Sequence, residues 1–182
     1  MIIPKKQTKK GKNRVKTKIT TKKVAFMGVF IALAMVLSFV ESQVPLFATN
    51  TGLRVGLPNI VMMFLLYKVG WKETVFVNVI RTVLMFFIFG NVLNMILSLS
   101  GAALSLVGII LLKKTNLFSC ITVSIVGGVL HNIGQIIAVC IWYQTPELAL
   151  ELPLLLISGT IAGTVIGLVA GILVKRLEKW KF

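Results

Sequence analysis

Residues 92–116 read VLNMILSLSGAALSLVGIILLKKTN. No side chain from Val92 to Leu112 is charged, and about 20 apolar residues rising 1.5 Å each are enough to cross the hydrocarbon of a bilayer. Lys113, Lys114 and Asn116 then end the run, two of them cations. An uncharged span that ends in a basic turn predicts a membrane-crossing helix stopping on the cytoplasmic side. Working outward, the same reading recurs on both sides. Downstream lie apolar spans over about Leu117 to Tyr143 and from after Pro153 to before Lys175 and Arg176. Upstream lie Glu73 to Phe89, Leu57 to Val69 and Val24 to Val40, the first of these joined to Val92 by a tight Gly90-Asn91 turn. The predicted fold is therefore an all-α integral membrane protein of six transmembrane helices.

Composition agrees. The 182 residues are 57% hydrophobic and 14% charged, where soluble domains carry roughly 45–50% and about 25%. Loop charges set the orientation, because cytoplasmic loops concentrate Lys and Arg. Placing both termini in the cytoplasm puts the Lys68/Lys72 turn, the Lys113/Lys114 turn and the tail with Lys175, Arg176, Lys179 and Lys181 inside. Arg54 alone remains for the outer loops, with Glu41, Glu147 and Glu151. Omitting any one span destroys this alternation. The expected organisation is a mobile basic arm over 1–23, a six-helix domain over 24–174 and a basic tail over 175–182, in the cell membrane.

Net charge is +15, and ten of the twenty Lys and Arg residues lie between Lys5 and Lys23. Directly before an apolar helix, such an arm reads as a retention signal touching anionic lipid, not as a nucleic-acid-binding segment. Cys120 and Cys140 sit on one predicted helix about 30 Å apart, too far to bridge. One His and two separated thiols make no metal site.

Catalytic signatures are missing as well. All five acids are Glu, so Asp-rich magnesium sites for diphosphate chemistry and a Ser-His-Asp triad have no residues to build them. No Gly-rich loop ending in Lys-Ser or Lys-Thr offers a nucleotide site. The expectation is a chain that is not an enzyme and carries no cofactor.

What the sequence does place inside the membrane is polar. Arg81 lies midway along the third span, with Asn78 and Thr82 on the same side; a charge at mid-bilayer costs about 2.5–3.5 kcal/mol unless paired. Glu41, at the end of the first span, is its plausible protein partner, an anionic ligand the alternative. On the fifth span Ser124, Gly128, His131, Asn132 and Gln135 fall within about a 100° arc, forming one polar face. A row of this kind is either a satisfied interhelical cluster or the wall of a wet or ligand-bearing cavity. In the loop after the first span, Arg54 stands between Gly52 and Gly56, with Pro58 and Asn59 next. It reads as a plain connection or as a lid over that face. Gly159, Gly163, Gly167 and Gly171 recur every four residues along the sixth span, a stripe for close helix packing or for a partner subunit. Gly28 and Ala32 form a shorter stripe on the first span.

Several of these residues together resemble a known family, the heptaprenyl diphosphate synthase component I or Gx transporter proteins, which look related to substrate-binding subunits of energy-coupling-factor transporters. The likeness covers about Val24 to Val174. It rests on Glu41-Ser42 followed by Pro45, on Gly52-Leu53-Arg54-Val55-Gly56-Leu57 with Asn59-Ile60, on Arg81, on Gly90, and on His131-Asn132 with Gly134-Gln135. The resemblance implies a six-helix subunit whose first loop closes over an outward-facing pocket, docked on a transmembrane coupling protein and energised by separate ATPase subunits. Gly28 and Ala32 would meet the coupling protein, Gly28 standing where such subunits usually carry Ala. The expected substrate is a small anionic or zwitterionic molecule held by Arg54, Asn59, Asn78, Arg81, His131, Asn132 and Gln135, with Glu41 supporting Arg81. The alternative reading is a non-catalytic membrane component of isoprenoid or quinone synthesis, or of linked electron transfer.

Overall fold

Each predicted apolar stretch is helical in the computed structural model, which describes residues 21–43 and 56–177. In chain order the helices are α1 (Thr21–Gln43), α2 (Asn59–Lys68), α3 (Trp71–Phe89), α4 (Val92–Thr115), α5 (Cys120–Tyr143) and α6 (Leu152–Arg176). A 3-10 segment, Pro146–Glu151, leads into α6, and no strand occurs among the described residues. Arg54, Gly52, Pro45, most of the basic arm and the last five residues lie outside the described residues.

Four of these helices are long and apolar enough to cross a membrane: α1, α4, α5, and α6 with its 3-10 lead. The other two differ for separate reasons. α3 has 19 residues but carries Lys72, Glu73 and Arg81. α2 has only ten residues, about 15 Å of rise. Its Val61–Leu66 run is buried all round, so protein rather than lipid covers it, with α6, α3 and α1 as neighbours.

Helix ends depart from expectation where side chains supply caps. α1 begins three residues earlier than predicted and runs through Glu41 to Gln43. The carboxylate does not stop the helix because it is buried and accepts a hydrogen bond from the Gly56 N–H. α5 starts at Cys120 rather than near Leu117, since Ser119 accepts the Thr122 N–H at 3.2 Å as its N-cap. α3 starts at Trp71, two residues before Glu73. The predicted Gly90-Asn91 turn is present: Gly90 takes φ 64° at the end of α3, and Asn91 accepts the Asn94 N–H at 2.9 Å to start α4.

Lys113 and Lys114 lie in the last turn of α4, and Asn116 closes the helix as its left-handed C-cap at φ 54°. Lys113 Nζ also donates to the Leu66 carbonyl and lies 5.1 Å from the centre of the Tyr67 ring, capping the end of α2. At the same end of the bundle Lys23, near the start of α1, pairs with Glu73 in the first turn of α3. Phe39 stacks on Phe89 with centroids 6.0 Å apart at the opposite end, so α1 and α3 run parallel.

The tightest seams are built on absent side chains. A Cβ on Gly128 would lie 2.5 Å from the Gly159 carbonyl oxygen, and one on Gly163 would lie 2.7 Å from the Ile125 Cα. Gly167 meets Ile121 in the same way, giving an antiparallel α5–α6 contact over two turns. On the other flank of α5, Gly101 faces His131 while Gly134 faces Ser100, making the α4–α5 crossing equally close. Helices in lipid gain little from apolar burial against one another, so such backbone proximity carries much of the association.

Candidate functional site

Arg81 projects from the middle of α3 into the bundle and is 7% exposed. Its guanidinium donates to Ser38 Oγ at 2.7 Å, to Asn78 Oδ1 at 3.1 Å and to Thr82 Oγ1 at 3.2 Å. Each of those oxygens sits on a fixed frame: Ser38 Oγ donates in turn to the Ala34 carbonyl and Thr82 Oγ1 to the Asn78 carbonyl, both at 2.9 Å. These side-chain oxygens hold the planar fork in place at the centre of the bundle.

Around that charge the chain assembles a polar void of about 10 Å³, room for roughly one water molecule. Arg81, Glu41 from α1, Gly56 and Asn59 from the start of α2, Ser98 from α4, and His131 and Gln135 from α5 line it. A second void of about 30 Å³ meets it at Arg81 and Ser98, and runs along Thr82, Asn91 and Asn94. A third, about 10 Å³, continues below Asn59 to Asn78, Ser105 and Ser124. The second void lies among α1, α3 and α4, and Met62, Met63, Leu106 and Ile166 make the third mostly apolar.

Two local features shape the central void. Gly56 adopts φ +91°, and a Cβ there would come 2.6 Å from Asn59 Nδ2, so neither the backbone nor the space admits a side chain. Gln135 and His131 are joined at 3.1 Å between Nε2 atoms. Which of the two donates follows the tautomer of the ring. Nδ1 is buried and has no hydrogen-bond partner among the described residues.

The expected residues divide accordingly. Asn59, Arg81, His131, Gln135 and Glu41 come together, and Asn78 supports Arg81 from the next void. Glu41 and Arg81 share the central void, with the Gly56 N–H on the carboxylate. Asn132 is separated from this group: it turns to α6 and donates to the Leu155 carbonyl at 2.6 Å and to Ser158 Oγ at 3.4 Å. Adjacent residues on a helix point 100° apart, and α5 is buried on two sides, so its polar face splits between two neighbours. Arg54 lies outside the described residues. Gly159, Gly163 and Gly167 are consumed in the α5–α6 seam, whereas Gly171 has open space around it. Gly28 and Ala32 lie on the exposed side of α1, and Gly28 also has open space.

Ser38 and Ser98 escaped the sequence reading. Ser38 stands one helical turn before Glu41, on the same face, which is a usable signal. Ser98 had none beyond its place three residues before Gly101. No group of three or more His, Cys or Glu residues able to hold a metal ion occurs among the described residues.

A family model described as heptaprenyl diphosphate synthase component I matches residues 30–173, and the chain belongs to that family. No curated protein and no solved structure matches the chain.

Proposed function

We propose that this member of the heptaprenyl diphosphate synthase component I family is the substrate-capture subunit of an uptake system, taking a small anionic or zwitterionic molecule at the Arg81 centre. The observation that carries the reading is a guanidinium deep in an apolar bundle, fixed by Ser38 and Asn78 on the wall of a void that His131, Gln135 and Asn59 also line. A guanidinium in that position offers an anionic group charge-assisted hydrogen bonds shielded from water. His131 and the two amides add directional donors and acceptors that a carboxylate or phosphate group would use. Asn78 and Glu41 position Arg81 and the Gly56 turn, and Asn132 locks α5 to α6.

The enclosed space holds about one water per void, so a substrate enters only when helices part. α1 is the helix suited to move, since α3 and α2 are its main neighbours and its other side is exposed. Energy for that step comes from a separate coupling protein and ATPase subunits, because this sequence contains no nucleotide-binding loop. In this reading all six helices lie in the cell membrane with both termini cytoplasmic. The Lys23–Glu73 pair and the Lys113 cap, which gather basic residues at one end of the bundle, support it.

A second reading takes the family's description at its word, as a non-catalytic membrane component of a prenyl diphosphate synthase. The near-filled interior favours it. Affinity purification of the chain from gently solubilised native membranes separates the two. Recovery of an ATPase pair with a membrane coupling protein supports capture; recovery of a soluble prenyltransferase without them overturns it.

A further inference from the structure

A cleft of about 260 Å³ opens between the α2–α3 turn and the end of α4, remote from the Arg81 void. Leu66 and Ile110 form its floor, and Trp71, Lys113, Lys114 and Asn116 stand around it. Lys113 spends one of its three N–H donors on the Leu66 carbonyl, which leaves two. Lys114 is exposed, and Lys72 Nζ lies 5.6 Å from the centre of the Trp71 ring at the rim. The acid nearest this turn, Glu73, is neutralised by Lys23.

We infer that this cleft binds the phosphate headgroup of an anionic lipid, with Lys113 and Lys114 on the phosphate, Asn116 on the headgroup and Trp71 against the upper acyl chain. Apolar floor, aromatic wall and cationic rim match a molecule with a charged head and a greasy tail, and not a free ion. The site sits at the ends of apolar helices, where tryptophan and lysine meet the interface of a bilayer. Because Lys113 also caps α2, an occupied cleft ties the lipid to the helix that begins at the Arg81 void. The inference does not depend on the capture reading.

The test is native mass spectrometry of the full chain in nanodiscs of equimolar phosphatidylcholine and phosphatidylglycerol, counting the phosphatidylglycerol that stays bound after release from the disc. Lys114→Gln, at an exposed position, should lower its occupancy about tenfold, the loss of one charged hydrogen bond. Lys113→Arg, which keeps cap and charge, should retain it. Lys175→Gln serves as the control for general surface charge. An equal fall in Lys114→Gln and Lys175→Gln overturns the site, as does retention that ignores both. Displacement of the lipid by millimolar inorganic phosphate overturns the assignment to a lipid.

Discussion

Arg81 donates to Ser38 of α1 and to Asn78 and Thr82 of α3, side chains set by the helices that carry them. Replacing it with Leu removes a buried charge without removing the frame, so the variant should insert and fold while losing its small molecule. Ser38→Ala should weaken retention less, because Asn78 and Thr82 still hold the fork. Gly101→Ala is the sharper structural probe: its Cβ would lie 2.8 Å from the His131 carbonyl oxygen and 2.9 Å from the ring Cε1. Overpacking of that kind costs about 1–3 kcal/mol, read as a lower unfolding midpoint in detergent, and it displaces His131 from Gln135. A variant as stable as the parent would contradict the close α4–α5 crossing. Arg81, His131 and Gln135 were legible in the sequence because an ionisable or amide group inside an apolar run stands out against it. Ser38 was hidden, since a lone serine in a membrane helix commonly satisfies itself on the carbonyl one turn back, as this one also does.

Helix periodicity placed the elements to within a few residues, but an angle around one helix says nothing of which neighbour it meets. That is why the α5 row, one face in sequence, proved to serve two seams: His131 and Gln135 towards α4 and α2, Asn132 towards α6. The stripe on α6 shows the same limit. Gly163 is closed against Ile125 whereas Gly171 is open. Gly163→Leu should therefore lower the unfolding midpoint in detergent, by several kcal/mol if the seam cannot part, and Gly171→Leu should stay within about 0.5 kcal/mol. Equal effects would mean that α5 and α6 are not packed in this register. Glu41 illustrates a different failure: a charge at the end of an apolar run reads as a stop, yet a buried partner N–H lets the helix continue past it.

Over the whole molecule, the alternation of basic turns predicted one topology, and the contacts that bring Lys23 to Glu73 and Lys113 to Leu66 gather those turns at one end. Leu117 and Leu150 are both strongly exposed, at 81% and 82%, and lie at opposite ends of α5 and its following segment. In a variant whose Cys120 and Cys140 are replaced by Ala, Leu150→Cys should react with a membrane-impermeant maleimide on intact cells, and Leu117→Cys only after permeabilisation. The reverse pattern would invert the topology and place the Arg81 void towards the wrong side for uptake.

Capture at a buried guanidinium is the claim on which the functional account turns, and native mass spectrometry of gently purified protein addresses it directly. The parent chain should carry a small molecule bearing a negative charge, absent from Arg81→Leu of equal stability and helicity. The same molecule at the same occupancy in both, or an empty parent beside an empty variant, would contradict the account.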